Sequence, residues 1–359
     1  MRFNLPVLVY QEKNCVHNHA DEIAQMGKNA LIVTGRNSSK KNGSLDDVIN
    51  ALKSKNIKYT VYDGVEENPS VETVMEAREI GVKAGCDFII GIGGGSPMDA
   101  AKAIGVMIYY KNENKDFLYK SVSNSQSLPV IEVPTTCGTG SEVTTVAVLT
   151  VHNEKTKKSM SHRIFPRMSL VDEKYIKNAP LKVICDTAID ALAHIVESCI
   201  NNNVTEYSKM FAKEGLEAWS KFKDVLLGNR EATDEDFHNM MYASTLAGMC
   251  IAHAGTSLPH GLSYPITYEL GIPHGKAVGY FLPGYINEAT DEDKEFVLKA
   301  AGFESVEEFS KFYKKACGYE KFPQELLDKT GELILSNQRK LANCPYEVDA
   351  EVIKNIISF

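Results

Sequence analysis

The stretch DFIIGIGGGSPMDAAKAIGVM, residues 87–107, decides the fold of this chain. An apolar run ends in three glycines, and a segment with helical spacing begins at Pro97. The pattern predicts a buried strand, a tight turn and a helix whose free N–H groups and positive dipole end face the turn. Because glycines let the backbone approach a ligand closely, the turn suits a pyrophosphate group. A turn without a ligand is the alternative, since neither a GxGxxG fingerprint nor a P-loop is present.

The first half of the chain alternates strand and helix signals. Short apolar runs predict three further strands, at residues 30–34, 59–62 and 129–133. Helical segments begin at Ser44 and Ser70, and this alternation predicts a parallel, Rossmann-like sheet with helices on both faces. Beyond about Pro166, long amphipathic stretches replace the strands, at residues 183–200, 206–223 and 234–252. We therefore expect an α/β domain over residues 1–166 and an all-α domain over residues 167–359.

A second loop, PTTCGTGSE at residues 134–142, follows the predicted strand 129–133. Hydroxyl side chains are concentrated in it, at Thr135, Thr136, Thr139 and Ser141. Open α/β sheets bind ligands at the carboxyl ends of their strands, which is where this loop and the glycine turn both fall. The two loops together favour a nucleotide site over a turn without a ligand.

Four metal-capable side chains stand in the second half of the chain. Asp190 and His194 are four residues apart and share one face of a predicted helix. His260 and His274 each lie in a Pro-His-Gly sequence. Imidazole and carboxylate donors suit Fe²⁺, Zn²⁺ or Mn²⁺, whereas a surface pair and hydrogen-bonded core histidines are the alternative. Glu197 lies on the same helix face, and we expect it either to orient His194 or to be solvated.

Composition limits the partners. The chain has 359 residues and a formal net charge of −8, which argues against nucleic acid as a partner. No apolar run approaches the roughly 18–20 residues that a membrane span needs. Eight cysteines without a CxxC pair, and a start without the pattern of a signal peptide, predict free thiols in the cytoplasm.

Taken in order, these motifs resemble the iron-containing (group III) alcohol dehydrogenases. The resemblance is carried by GGGSxxDxxK at 93–102, PTTxGTGSE at 134–142, DALxH at 190–194 and the histidines at 260 and 274. It spans about residues 28–285 and is greatest to the short butanol and 1,3-propanediol dehydrogenase-like members. It implies a dehydroquinate synthase-like fold, reversible NAD(P)H-dependent reduction of an aldehyde or ketone to an alcohol, and a homodimer or larger homo-oligomer.

The resemblance also implies roles for individual residues. Asp190, His194, His260 and His274 would bind the metal, with Fe²⁺ the usual ion. The pyrophosphate and nicotinamide side of the cofactor would be held by Gly94, Gly95, Ser96 and Asp99. The nucleotide site would be lined by Thr135, Thr136 and Thr139. Lys158 would contact the cofactor ribose, with Lys157 as its competitor.

Three positions depart from the family pattern. Tyr264 stands where many members carry a second histidine, four residues after the third ligand, so the proton relay is open among Tyr264, His253 and a water chain. The sequence 10–13, Tyr-Gln-Glu-Lys, replaces the Phe-Gly-x-Gly usual near the N-terminus.

The third departure concerns cofactor choice. Gly35 stands where NAD-preferring members place an aspartate, and Ser38, Lys40 and Lys41 follow it. A carboxylate there would accept from the ribose 2′-hydroxyl and repel a 2′-phosphate, so its absence favours NADP(H) over NAD(H). The alternative is that the two lysines are simply solvated.

Three other functions fit parts of the same pattern. Glycerol dehydrogenase-like and dehydroquinate synthase-like enzymes share the layout, but their loop and ligand patterns fit less well. A metal-dependent hydrolase would leave the glycine turn and the threonine loop unexplained. A non-catalytic nucleotide-binding or metal-storage protein is a third alternative, and the sequence names no substrate.

Overall fold

The computed structural model describes residues 3–154 and 156–359. The chain divides into two compact units. The sheet unit comprises Leu5–Thr136 and Ser141–Asn178, and the helical unit comprises residues 3–4, Cys137–Gly140 and Ala179–Phe359. The sheet unit therefore extends beyond the expected boundary at residue 166, and a short segment of the threonine-rich loop belongs to the helical unit.

The sheet unit is built on parallel strands. The strands are β1 Leu8–Gln11, β2 Asn29–Gly35, β3 Lys58–Val65, β4 Phe88–Gly93, β5 Val130–Pro134, β6 Val148–Val151, β7 Thr156–Ser159 and β8 Met168–Val171. Six of them form one sheet in the order β1-β8-β5-β4-β2-β3, with every pair parallel. The remaining two, β6 and β7, form an antiparallel hairpin. The structure confirms the α/β class and the four strands β2–β5. The sequence patterns did not indicate β1, β6, β7 or β8, and β8 carries the unit past residue 166.

Alternate residues of the central strands face two apolar layers. Leu31 and Ile89 belong to one buried cluster, whereas Ile32 and Ile90 belong to the other. Both β4 and β5 are buried throughout, as parallel strands covered by helices on both faces should be. The helices of this unit are α1 Cys15–Asn18, α2 Ala20–Ala24, α3 Ser38–Lys41, α4 Ser44–Ser54, α5 Val71–Ala84 and α6 Gly95–Tyr109. Short 3₁₀ helices lie at Lys115–Tyr119, Ser141–Val143, His152–Glu154 and Glu173–Tyr175.

The helical unit packs around one buried helix. Its helices are α7 Leu181–Cys199, α8 Glu206–Ser220, α9 Lys223–Leu226, α10 Asp234–Ala254, α11 Leu258–Leu270, α12 His274–Asn287, α13 Asp291–Ala301, α14 Val306–Cys317, α15 Gln324–Leu335, α16 Gln338–Asn343 and α17 Ala350–Ser358. The three long helices predicted from amphipathic spacing are confirmed as α7, α8 and α10. Almost every residue of α7 from Ile184 onward is buried, and Trp219 of α8 donates from Nε1 to the Ala188 carbonyl at 2.7 Å. This packing fixes the helix that carries Asp190 and His194.

Local sequence sets where these helices begin. Thr205 caps the N-terminus of α8 and Thr233 caps that of α10, each with a capping box. Pro273 has an extended backbone and precedes α12, so His274 is the first residue of that helix. Within the described ranges, no helix combines the length and the hydrophobicity needed to cross a membrane.

Candidate active site

Three metal-capable side chains from three helices converge in the helical unit. They are Asp190 of α7, His260 of α11 and His274 of α12, and one possible ligand atom of each lies within 4.8 Å of the others. Oδ1 of Asp190 is 3.4 Å from Nε2 of His260 and 3.9 Å from Nε2 of His274. Asp190 Oδ1 and His260 Nε2 are buried without a hydrogen-bond partner in the part of the chain that the structure describes. Buried polar atoms normally have partners, and a divalent cation would satisfy both of these.

His194 lies beside this group rather than within it. Its ring stacks on that of His260, with centroids 4.3 Å apart and an interplanar angle of 20°. Its Nδ1 is 3.2 Å from the carbonyl oxygen of Gly138, which can only accept. The proton is therefore assigned to Nδ1, which leaves the Nε2 lone pair of His194 for an ion.

Glu197 orients a different histidine from the expected one. It is fully buried, and its Oε1 makes a short contact with Nδ1 of His260. Its Oε2 accepts from the backbone N–H of Ser257 at 2.5 Å. The expectation that Glu197 orients His194 is wrong, because its carboxylate oxygens bind these two groups instead. The contact holds His260 with Nε2 toward Asp190.

Burial and charge set the protonation of the cluster. Burial lowers the pKa of His194 to about 4, despite the nearby Asp190 carboxylate. Burial alone would raise the pKa of Asp190, but His194 and His260 outweigh it and hold that pKa below its ordinary value. Burial lowers and Glu197 raises the pKa of His260, with a net value of about 9. The carboxylates of Asp190 and Glu197 thus make the site electrostatically suited to a cation.

The two relay candidates have different surroundings. Tyr264 stacks on His274 with ring centroids 5.8 Å apart. His253 stacks on Phe3 with centroids 4.7 Å apart, its Nδ1 donates to the Met249 carbonyl at 2.8 Å, and its Nε2 accepts from the backbone N–H of Asn4 at 3.4 Å. Tyr264 therefore lies against one of the metal-capable side chains, His274. Both ring nitrogens of His253, by contrast, are hydrogen-bonded to other residues.

The glycine turn of the sheet unit needs its glycines. Gly93 ends β4 at φ +151°, and a Cβ added there would lie 2.6 Å from Cγ of Pro97. A Cβ at Gly94 would lie 3.1 Å from the Thr136 side chain. The Thr135 N–H donates to the Gly93 carbonyl at 2.8 Å, which joins the turn to the threonine-rich loop. Thr135 Oγ1 is buried and has no hydrogen-bond partner among residues 3–154 and 156–359, so it suits a ligand.

Asp99 and Lys102 brace the loop that follows. Asp99 accepts from Ser141 Oγ at 2.6 Å and from the Val148 N–H at 2.8 Å. Lys102 is fully buried and donates to the carbonyls of Ser141 at 2.6 Å and Val146 at 2.9 Å. The Asp99 carboxylate is therefore hydrogen-bonded within the sheet unit, and its contact with a cofactor stays a proposal.

Comparison with known proteins identifies the family. Residues 6–173 match the family model for iron-containing alcohol dehydrogenase, and residues 184–336 match that for the C-terminal part of the Fe-containing alcohol dehydrogenase family. The chain belongs to the iron-containing alcohol dehydrogenase family. The sequence-based family prediction is confirmed.

Individual relatives agree. The NADPH-dependent butanol dehydrogenase of Clostridium saccharobutylicum is 29% identical over 350 residues, covering 95% of this chain and 84% of the relative. The 1,3-propanediol dehydrogenase of Citrobacter freundii is 33% identical over 263 residues, covering 72% and 67%. The solved structure of an iron-containing alcohol dehydrogenase from Thermotoga maritima has a TM-score of 0.91 and 38% identity, covering 99% and 98%.

The family assignment settles the class of chemistry. The protein is an alcohol dehydrogenase that uses a metal and NAD(P) for the reversible reduction of aldehydes or ketones to alcohols, and its substrates are small molecules. This activity is the one that the family resemblance implied, and it is favoured over a hydrolase or a non-catalytic binding protein.

Two neighbouring lysines of this dehydrogenase, Lys157 and Lys158, differ in burial and in their partners. Lys157 is almost fully buried, and its Nζ donates to Asn68 Oδ1 at 2.6 Å, while the Asn68 N–H donates to Ser96 Oγ of the glycine turn at 3.0 Å. Lys158 is half exposed and pairs with Glu154 at 3.4 Å. Successive side chains of β7 point to opposite faces, so only one lysine can reach the turn. The structure places Lys157, not the expected Lys158, beside it.

The segment after β2 bears on cofactor choice. Gly35 ends β2, and the exposed Ser38 begins α3. No carboxylate follows β2 directly, but Asp63 of β3 pairs with Lys40, Nζ to Oδ2, at 2.5 Å. The positive charge of Lys40, two residues after Ser38, is therefore partly neutralised by Asp63, which lies on a different strand and is not marked by the sequence around Gly35.

Proposed function

We propose that Asp190, His194, His260 and His274 hold Fe²⁺ in this alcohol dehydrogenase, with Zn²⁺ or Mn²⁺ as substitutes. The observation that carries the proposal is the meeting of buried Asp190 Oδ1 and His260 Nε2 without hydrogen-bond partners among the described residues. Three imidazoles and one carboxylate leave a divalent ion with net positive charge. When bound, the ion supplies a Lewis acid that stabilises the negative charge developing on the carbonyl oxygen during hydride transfer.

Most of the proposed cofactor-binding residues belong to the sheet unit. The N–H groups of Gly94, Gly95 and Ser96, at the start of α6, bind the pyrophosphate with the help of the helix dipole. The buried hydroxyl of Thr135, which has no hydrogen-bond partner within the described ranges, supports this role. We further propose that Thr136, Thr139 and Asp99 line the nucleotide and nicotinamide side. Lys157 rather than Lys158 binds the cofactor ribose, supported by its link to Ser96 through Asn68.

The cofactor is NADP(H) in this proposal. Gly35 and Ser38 leave room for a 2′-phosphate, and no carboxylate follows β2 to repel it. Lys40 offers a positive charge, although its pairing with Asp63 reduces that benefit.

Tyr264 delivers the proton to the alkoxide in this proposal. Its ring lies against His274, whereas the second candidate, His253, has both nitrogens engaged. A tyrosine O–H can donate to a developing alkoxide when it is within hydrogen-bond reach of it.

The proposal also covers the oligomeric state and the cellular location. We propose a homodimer or larger homo-oligomer, as the family resemblance implies, which light scattering measures directly. We also propose a cytoplasmic location, supported by eight cysteines that are all buried and unpaired.

The test is a substrate and cofactor screen. The enzyme is reconstituted with Fe²⁺ or Zn²⁺ and offered short aldehydes and diols, and NADPH or NADH absorbance is followed at 340 nm. We expect metal-dependent turnover with a lower KM for NADPH than for NADH. A strong NADH preference contradicts the NADP(H) proposal, and full turnover after metal removal contradicts the metal proposal.

A further inference from the structure

Helix α16 lies beyond residue 336, where the match to the C-terminal family model ends. It nevertheless holds the segment that leads into the helix of His260. Lys340 Nζ donates to Thr256 Oγ1 at 2.5 Å, and Asn343 Nδ2 donates to the Thr256 carbonyl at 2.8 Å. Just past the helix, Cys344 Sγ lies 3.0 Å from Ser257 Oγ. The C-terminal part of the chain therefore fixes both Thr256 and Ser257.

The same short segment is connected to a metal ligand. Gly255, at φ +77°, turns the chain between α10 and α11. Two residues later, the Ser257 N–H donates to Glu197 Oε2, and Glu197 Oε1 contacts Nδ1 of His260. A continuous series of contacts thus leads from Lys340 through Thr256–Ser257 and Glu197 to His260.

The charged groups in this series of contacts also compensate one another. A fully buried carboxylate such as that of Glu197 is costly unless positive charge compensates it. His260 and, to a smaller extent, Lys340 are the positive groups that interact with the Glu197 carboxylate. The stem of Lys340 packs against α11 next to His260, since a Cβ added at Gly261 would lie 3.5 Å from Lys340 Cγ.

We propose that Lys340 is a positioning residue for the metal site, acting through Glu197, which holds His260 with Nδ1 protonated and Nε2 toward Asp190. The inference rests on the proposed metal site and adds α16 to it. It makes helix α16, beyond the residues matched by the C-terminal family model, a contributor to metal affinity.

The test measures Co²⁺ affinity of the full-length apoprotein through the visible absorption of the bound ion. Replacing an outer-shell partner of a metal ligand costs about 10–100-fold in affinity, so we expect that loss in E197Q. K340Q is expected to weaken Co²⁺ binding by roughly 3–10-fold, a smaller effect because Lys340 acts through Glu197. R339Q, which removes the same charge from an exposed position of the same helix, is the matched control and should bind Co²⁺ as the wild type does.

A double variant separates positioning from general destabilisation. If Lys340 acts through Glu197, the K340Q/E197Q protein binds Co²⁺ no more weakly than E197Q alone, and K340R restores most of the affinity. NADPH affinity should be unchanged in all of these variants. T256V, which removes the hydrogen-bond acceptor of Lys340 but keeps its charge, is also expected to weaken Co²⁺ binding and serves where K340Q does not fold.

Two results overturn the inference. The first is a K340Q protein that binds Co²⁺ as tightly as the wild type does. The second is a double variant in which the losses of Co²⁺ affinity from K340Q and E197Q add together. Equal Co²⁺ affinity in the wild type and H260A is a distinct failure, because it shows that the proposed metal site itself is wrong.

Discussion

The polar side chains next to the glycine turn and those of the metal-capable cluster differ in how completely they are hydrogen-bonded. In the sheet unit, Asp99 and Lys102 are satisfied by the loop that they brace, and the glycine turn presents backbone N–H groups. In the helical unit, Asp190 Oδ1 and His260 Nε2 face each other at 3.4 Å, and neither has a hydrogen bond within the described residues. Asp99 and Lys102 therefore need no ligand, although Thr135 Oγ1 of the same unit is buried without a partner among the described residues, whereas a cation would complete Asp190 and His260. A substitution in one unit should therefore affect one ligand and spare the other.

The largest effect is expected from His260→Ala. Removing this ligand should abolish metal retention and turnover, because the ion loses one of its four proposed ligands and Glu197 loses the imidazole that it holds. NADPH binding, measured by fluorescence, should stay largely intact because the glycine turn belongs to the other unit. Metal content by elemental analysis and turnover at 340 nm check the claim, and unchanged turnover would contradict it.

Tyr264→Phe should come next. Removing the hydroxyl should lower kcat about 100-fold, the lower range for loss of a general acid, while metal content is retained. His253→Ala is the paired control and should leave kcat near the wild-type value, because that ring is engaged by Asn4 and Met249. The opposite ranking of the two variants would reassign the relay.

A smaller effect distinguishes the two lysines of β7. Lys157→Met should raise the Kd for NADPH about tenfold, as loss of one charge-assisted hydrogen bond does. Lys158→Met should leave the Kd unchanged because its side chain faces Glu154. Both should keep wild-type Co²⁺ affinity, and a larger Kd change in Lys158→Met would restore the original expectation.

The smallest effect is on stability and its pH dependence. Glu132 of β5 is fully buried, both its carboxylate oxygens have no hydrogen-bond partner in the described chain, and burial raises its pKa from 4.5 to about 8. Between these values the folded protein keeps a proton that the unfolded chain has released, so the free energy of unfolding falls as pH rises.

Glu132→Gln removes that dependence because glutamine does not titrate. The variant should have a Tm about 2–4 °C above the wild type at pH 8.5, with a smaller difference at pH 5. Glu67→Gln, at an exposed position of the same unit, is the control and should follow the wild type. Parallel Tm curves for Glu132→Gln and the wild type would show that Glu132 does not titrate in this range.

Much of the fold could be predicted because local patterns determine it. Strands β2–β5 are continuous apolar runs, and α7, α8 and α10 show helical spacing. The missed strands β1, β6, β7 and β8 have four residues each, which is too short for a periodicity signal. Leu8 of β1 is also exposed, so hydrophobicity does not mark it.

The site was predictable in its residue types but not in its pairings. The spacing of Asp190 and His194 and the family resemblance indicated the ligands. Helical spacing also placed Glu197 near His194, yet its partner His260 lies 63 residues away in sequence. Similarly, no sequence pattern says which of two adjacent strand lysines faces inward. These pairings depend on how helices and strands pack, which single-sequence periodicity does not contain.

Anomalous diffraction from crystals reconstituted with Zn²⁺, recorded at the zinc edge, tests the central claim most directly. The account predicts one strong peak about 2.0–2.2 Å from Asp190 Oδ1 and from a ring nitrogen of each of His194, His260 and His274. A peak held by other residues, or no peak among these four side chains, would contradict it.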